Sequence, residues 1–414
     1  MNNYIKRVLS NGVKLYLYPD AKMKKTYVGY SIGYGSSGKW FDFYYNDEKH
    51  HVLPGCAHFL EHMLGEHSKY GNIYNYFSSL NYECNAITYS TDTIFYFIGV
   101  DGIKDSIKKL IEAIDEPVFT SSDVEETKHA IIEETKRGLN NKHRVALAQY
   151  SRDLYKGMDL YHETLSSIGN EVTTEALDYD TLKICYDAFY YDENKTLLVA
   201  GNFQEEEMVE YLESIYANIK PHKKEMAEYQ YIDLDKIKNK MSVNYLPTSD
   251  DYVIMGFKEK FNGFTKKEVY YFINFIAEFK FSDYNDFKTN LKKKDIISSY
   301  GGYSSYLYGS EYYDFFICAS VKKIDLFIEE VIEYFKKNNL TREDFELYKK
   351  GIIADQVVSR DFKYRKFDAF VIKRMFSDDF EDIDFIKSLS YERFNEFYNS
   401  LNFDEYVVSV IRDI

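Results

Sequence analysis

The chain has 414 residues, enough for two or more domains, and its 45% hydrophobic content can fill real cores. A formal net charge of −15 argues against nucleic acid as a partner, because a phosphate backbone attracts basic proteins. With only 5 prolines and no low-complexity segment, the composition also excludes extensive disorder.

Strand and helix patterns alternate along the N-terminal half. Strands are predicted over residues 13–18, 26–34, 82–89, 93–100 and 195–199. Helical periodicity predicts helices over residues 54–65, 73–80, 103–114, 122–140, 145–157 and 174–189. A charged, proline-containing run over residues 220–240 is the expected linker to a second domain.

The first of these helices carries the most informative motif, His-x-x-Glu-His, formed by His58, Glu61 and His62. Residues i, i+3 and i+4 share one face of a helix, so the three side chains are expected to lie together. Two imidazoles one turn apart can bind one metal ion, with the carboxylate placed to deprotonate a water molecule. Core or surface histidines with ordinary partners are the alternative. The apolar residues on either side predict a buried helix, and a buried charge needs a partner.

A third protein ligand is expected from the helix predicted over residues 122–140, which is rich in carboxylates. At about 100° per residue, its apolar residues form one core-facing stripe. Glu134 falls on the flank of that stripe, whereas Glu133 points almost directly away from it. We therefore predict Glu134 as the ligand. His67 is the rival candidate, but five residues after His62 it turns away from the metal face.

The second half of the chain repeats the first. Residues 119–134 align without a gap on residues 340–355, with a shared Thr-x-x-Asp and a shared Ile-Ile pair. The second copy has no His-x-x-Glu-His. We predict an α+β fold of two homologous domains, each a mostly antiparallel β-sheet covered by α-helices. Residues 1–219 form the catalytic metal-binding domain, 220–240 the linker and 241–414 a metal-free, substrate-holding repeat.

Several segments together resemble the pitrilysin/insulinase family of zinc metallopeptidases, of the half-length type that includes mitochondrial processing peptidase subunits and bacterial processing proteases. The resemblance is close in the first half and loose in the second. Its segments are Asn11-Gly-Val-Lys-Leu-Tyr-Leu, residues 53–65, Asn85-Ala-Ile-Thr, Ala130-Ile-Ile-Glu-Glu, Ile168-Gly169 and residues 189–201. The resemblance implies a LuxS/metallohydrolase-like fold that forms half of a clam-shell chamber.

The resemblance also implies roles for individual residues. One Zn²⁺ per chain would be held by His58, His62 and Glu134, with Glu61 as the general base. An extended peptide substrate would add to a sheet edge near Asn85 and Ala86, where main-chain pairing binds a strand of almost any sequence.

Two departures from the family pattern affect rate and specificity rather than the ligand set. Thr127 stands where the family often has a second acid, seven residues before the third ligand. The loop that follows the metal helix also lacks the usual Phe-x-Gly-Thr sequence.

In the second half, Lys293 and Tyr300 stand where the family has an Arg and, seven residues later, a Tyr that contact the substrate carbonyl. Lysine lacks the planar fork of arginine, so this exchange is not neutral. The alternative is a strand rich in Tyr, Ser and Gly that is preceded by a short basic segment and has no role in catalysis. In that case a partner chain would supply the missing pair.

The resemblance also implies that a chain of the half-length type closes the chamber with a second chain. We therefore expect either a homodimer or a heterodimer with a related, metal-free chain. Three functions stay open: an active zinc endopeptidase that trims peptides such as leader or precursor peptides, a peptide-binding subunit that cuts poorly alone, and a structural subunit. Glu61 argues against the third.

The N-terminal residues run directly into a strand pattern without an apolar signal core, and no stretch is long enough to span a bilayer. The four cysteines are scattered, as expected of reduced thiols. The sequence thus predicts a cytoplasmic protein without a membrane span.

Overall fold

The computed structural model describes residues 5–36, 42–89, 92–154, 169–223, 237, 239–281, 286–308, 312–361 and 383–414. The chain divides into two compact units. The first comprises Met1–Gly138 and Leu160–Ile232, and the second comprises Leu139–Asp159 and Asp233–Ile414. Among the described residues, no helix combines the length and the apolar character needed to cross a membrane.

The first unit is built on a six-stranded sheet. Its strands are β1 (Ile5–Val8), β2 (Lys14–Pro19), β3 (Thr26–Ile32), β6 (Glu83–Thr88), β7 (Thr93–Gly99) and β8 (Lys195–Gly201), with a separate hairpin of β4 (Asp42–Tyr45) and β5 (Glu48–His51). The order across the sheet is β1-β2-β8-β3-β7-β6. Among the described strands of this sheet, β2 pairs with β8 in parallel, and the other pairings are antiparallel. Strand β6 therefore lies at an edge.

Helices complete the core of this unit. They are α1 (Cys56–Glu66), α2 (Ile73–Ser79), α3 (Ile103–Asp115), α4 (Ser121–Leu139), α6 (Glu171–Ala176), α7 (Tyr179–Phe189) and α8 (Glu205–Tyr216). Phe59 and Leu60 of α1 are fully buried in the same core as Val28 and Tyr30 of β3. Helix α1 is therefore a central element of the core, as its apolar sequence predicts.

A buried ionic cluster ties the sheet to α3. Lys195 Nζ of β8 lies 2.9 Å from Asp115 Oδ1 and 3.3 Å from Asp192 Oδ1, and all three side chains are less than 10% exposed. Tyr30 donates a hydrogen bond of 2.7 Å to the other Asp115 oxygen. Because each buried charge is paired, the cluster is tolerated inside the core.

The second unit repeats this architecture. Its strands are β9 (Met241–Tyr245), β10 (Asp251–Lys260), β11 (Ile297–Tyr308), β12 (Tyr312–Val321) and β13 (Val407–Arg412), in the order β11-β12-β10-β13-β9. Its helices are α5 (Lys142–Leu154), α9 (Lys266–Phe281), α10 (Asp286–Lys293), α11 (Ile324–Lys336), α12 (Arg342–Asp361), α13 (Ile383–Ser388) and α14 (Tyr391–Ser400).

The strand order β6-β7-β3-β8-β2 of the first unit corresponds to β11-β12-β10-β13-β9, and β13 pairs with β9 in parallel as β8 does with β2. Matching contacts begin α4 and α12. Thr120 N donates to Asp123 Oδ2 at 2.6 Å, and Thr341 N donates to Asp344 Oδ2 at 2.8 Å. The prediction of two related α+β domains is confirmed.

Helix α5 belongs to the second unit, although the sequence division grouped residues 145–157 with the first domain. Lys258 Nζ donates to Leu154 O at the end of α5, at 2.6 Å, and the Tyr150 ring lies 5.3 Å from that of Phe316. Helical periodicity reveals an apolar face but not which sheet that face covers.

The predicted helix over residues 174–189 is two helices. The chain is extended at Leu177, the C-cap of α6, and at Asp178, whose side chain caps α7 by accepting a hydrogen bond from Thr181 N at 2.9 Å.

Candidate metal centre

The His-x-x-Glu-His motif of helix α1 is largely buried. Gly55 precedes the helix with a φ of 100°, a conformation that glycine adopts without strain. His58 and Glu61 are buried, and His62 is half-buried. The motif therefore faces inward at one end of the core, as expected from its apolar neighbours.

Helix α4 brings a carboxylate to the two imidazoles. Glu134 Oε2 lies 3.7 Å from His58 Nε2 and also 3.7 Å from His62 Nε2. One ligand atom from each of the three residues falls within 4.8 Å of the others. The two rings lie 4.7 Å apart between centroids and are nearly perpendicular, at 80°. Three donors thus converge on one point from two helices.

The donor set fits zinc, which binds imidazole nitrogen and carboxylate oxygen and in catalytic sites takes three protein ligands. Among the described residues, this is the one cluster of three or more His, Cys, Asp or Glu side chains close enough to hold an ion.

In the metal-free protein, the surroundings shift the pKa values of the two imidazoles in opposite directions. Burial lowers the pKa of His58 to about 4, and the neighbouring positive charge of His62 acts in the same direction. Burial also disfavours the charged form of His62, but interactions with Glu134 and Glu66 outweigh it and raise its pKa to about 9. Interaction with His62 in turn lowers the pKa of Glu134, which keeps this carboxylate ionised.

The proposed base is held by a hydroxyl of the edge strand. Thr88 Oγ1 of β6 donates a hydrogen bond of 2.6 Å to Glu61 Oε2, and lies 3.2 Å from Thr93 Oγ1 of β7. Burial raises the pKa of Glu61, and the bond from Thr88 partly offsets this effect. Sequence reasoning missed Thr88, although it is the Thr of the quoted Asn-Ala-Ile-Thr segment.

A second contact that the sequence reasoning missed joins His62 Nδ1 to Glu66 Oε1, at 2.6 Å. The signal was available in the sequence, because Glu66 follows His62 by four residues and shares its helix face.

The predicted substrate residues lie on the same edge strand. Asn85 is exposed and Ala86 buried, and β6 pairs with β7 only, so its outer edge has no partner strand among the described residues. Their role in binding a peptide stays a prediction.

The remaining candidates are His67 in the first unit and Lys293 and Tyr300 in the second. His67 Nε2 lies 2.9 Å from Thr127 Oγ1, and His67 Nδ1 lies 3.3 Å from Asp123 Oδ1. His67 thus connects the end of α1 to the start of α4 and is not one of the three convergent donors. Lys293 is exposed at the end of α10, in the second unit. Tyr300 is paired with Ala319 on β11, and its side chain lies outside the described part of the chain.

Gly65, near the end of α1, packs against the ring of Tyr74. A Cβ at Gly65 would lie 2.6 Å from the Cζ of Tyr74, because this ring already occupies the adjacent space.

Comparison with known proteins matches two models of one family. The model described as "Insulinase (Peptidase family M16)" matches residues 45–167, and "Peptidase M16 inactive domain" matches residues 176–352. The chain belongs to the insulinase family of peptidases, M16, and the resemblance seen in the sequence is confirmed.

Individual relatives agree with this assignment. YmfH, an uncharacterized zinc protease of Bacillus subtilis, is 30% identical over 206 residues, which cover 49% of this chain and 46% of YmfH. A second B. subtilis relative is matched over 36% of its length, so the matches span less than half of both curated relatives.

Solved structures share the fold over the whole chain. An M16-like peptidase from Alicyclobacillus acidocaldarius superposes with a TM-score of 0.85 at 21% identity, covering 100% of this chain and 99% of that protein. Pitrilysin superposes with a TM-score of 0.72 at 15% identity, covering 99% of this chain but 45% of pitrilysin.

Proposed function

We propose that this protein is a zinc-dependent endopeptidase that hydrolyses extended peptides, such as leader or precursor peptides, inside a closed chamber. The observation that carries the proposal is the position of Glu134 Oε2, 3.7 Å from both imidazole Nε2 atoms, with Glu61 on the same face of α1. An ion held there by His58, His62 and Glu134 would keep a fourth position for water or substrate.

When bound, zinc lowers the pKa of a coordinated water molecule and polarises a carbonyl group. The chain's own residues supply the remaining steps. Thr88 holds one oxygen of Glu61, so the carboxylate is oriented to take a proton from water and pass it to the leaving amine nitrogen. The outer edge of β6 near Asn85, which has no partner strand among the described residues, offers main-chain groups to an extended peptide.

For the closed chamber we propose a dimer, either of this chain or with a related metal-free chain. The support is that the whole of this fold corresponds to 45% of pitrilysin, so one such chain amounts to about half of that protein. Lys293, in place of arginine, favours a related partner that supplies the carbonyl-contacting pair.

The test is cleavage of a set of unstructured peptides by the purified protein, with and without a chelator, alongside metal analysis. Glu61→Gln should lower kcat by at least about a hundredfold while one zinc per chain is retained, because the amide cannot accept the proton. Glu133→Gln is the matched control. The Glu133 side chain is 63% exposed on α4, so this substitution should leave kcat and the zinc content unchanged.

Persistent cleavage by Glu61→Gln would show that the base is assigned wrongly, and a wild-type protein without stoichiometric zinc would refute the metal centre. Cleavage that requires a second, related chain would favour the alternative function, a peptide-binding subunit of a heterodimeric processing protease with little activity alone.

A further inference from the structure

The two imidazoles of the metal centre differ in how their second nitrogen is held. His62 Nδ1 lies 2.6 Å from Glu66 Oε1, a short distance typical of a charge-assisted hydrogen bond. His58 Nδ1 is buried and has no hydrogen-bond partner among the described residues. Of the two rings, His62 alone therefore has its Nδ1 held by a side chain among the described residues.

This contact decides which nitrogen of His62 can bind a metal. An ionised carboxylate only accepts hydrogen bonds, so Nδ1 must carry the proton. In the neutral ring, the form that can bind a metal ion, the lone pair is then on Nε2, the atom that lies 3.7 Å from Glu134 Oε2. A ring held in this tautomer and orientation is a preorganised ligand, and a carboxylate partner also makes it a stronger donor.

The local geometry accounts for the choice of residue. Glu66 is the last residue of α1, four positions after His62, so its side chain lies over the ring on the same helix face. An acid at a helix C-terminus is disfavoured by the helix dipole. The position thus works against helix stability, which is consistent with a role at the metal.

We propose that Glu66 is a positioning residue that orients His62 for metal binding and strengthens it as a ligand. The inference rests on the zinc centre of the proposed function and adds a residue that contacts the ligand rather than the ion.

The experiment measures zinc affinity of the metal-free full-length protein by competition with a chromophoric chelator. Glu66→Ala should weaken zinc binding by about 10- to 100-fold. Glu66→Gln should weaken it less, because the amide oxygen still accepts the hydrogen bond from Nδ1. Glu133→Ala, an exposed acid on α4, should stay within about twofold of wild type, and circular dichroism of the metal-free proteins should show the same helix content.

A double-mutant cycle separates positioning from a general effect on charge or folding. In a His62→Ala background, Glu66→Ala should cause no further loss of affinity, because the ring that it orients is gone. Unchanged affinity in Glu66→Ala, or the same loss with and without His62, would overturn the inference while leaving the zinc centre intact. Failure of the wild-type protein to bind zinc would overturn the proposed function and this inference together.

Discussion

The hydroxyl of Thr88 should set the lower pH limit of the proposed peptidase activity. Its Oγ1 lies 2.6 Å from Glu61 Oε2, inside a site where burial raises the pKa of this carboxyl. Thr88→Val keeps the shape of the side chain but removes the donor. The charged form of Glu61 then loses a hydrogen bond, and we expect its pKa to rise further.

The size of the effect follows from the strength of that bond. A hydrogen bond to a charged group contributes about 1.5–3 kcal/mol, and about 1.4 kcal/mol corresponds to one pH unit. Because Glu61 must be ionised to accept a proton, the acid limb of the pH profile of kcat/KM should move up by about one to two pH units. Activity should return at higher pH, and zinc content should not change.

The assay is cleavage of a fluorogenic peptide across the pH range, with Thr93→Val as the matched control. Thr93 Oγ1 is fully buried beside Thr88 but donates to Tyr34 O at 3.0 Å rather than to Glu61. Its loss should leave the acid limb in place. An unshifted limb in Thr88→Val, or equal shifts in both variants, would refute the assigned role of this hydrogen bond.

Two further predictions concern stability and proton release. Lys195→Met should lower the free energy of unfolding by about 3–5 kcal/mol, measured in urea, because two buried carboxylates lose their cation. Lys183→Met, which removes a surface pair with Asp187, should cost no more than about 0.5 kcal/mol, and equal costs would contradict this account. Zinc binding at pH 7 should release about one proton from His62, because its pKa of about 9 keeps this ring charged in the metal-free protein. His58 should release none, because its pKa of about 4 leaves it neutral. Affinity should therefore rise about tenfold per pH unit between about pH 5 and about pH 9, where His62 is protonated and His58 is not. Calorimetry in buffers of different ionisation enthalpy that detected no proton release would contradict this prediction.

Much of the fold could be predicted because the relevant signals are local. Periodicity along residues 54–65 indicates a buried helix, and the alignment of residues 119–134 with 340–355 indicates a repeat. The break at Leu177 and Asp178 was missed, although aspartate is a recognisable N-cap residue and Asp178 caps α7 through Thr181 N. The assignment of α5 to the second unit had no comparable local signal.

The sequence by itself determined that His58, Glu61 and His62 share one face of a helix, because 3.6 residues per turn fixes that relation whatever surrounds it. It also selected Glu134 as the carboxylate to expect, by helix-face geometry and by family resemblance. Only the tertiary structure decided where that carboxylate lies. Its distance from the imidazoles depends on how α4 packs beside α1, across 72 residues of chain.

The same holds for Thr88, whose hydroxyl reaches Glu61 only because β6 lies beside α1. Helical spacing is set by the backbone hydrogen bonds within one element, whereas contacts between elements are set by the packing of whole side-chain surfaces. The motif could therefore be recognised in the sequence. The position of the third donor, Glu134, and the orientation of Glu61 by Thr88 depend on the tertiary structure.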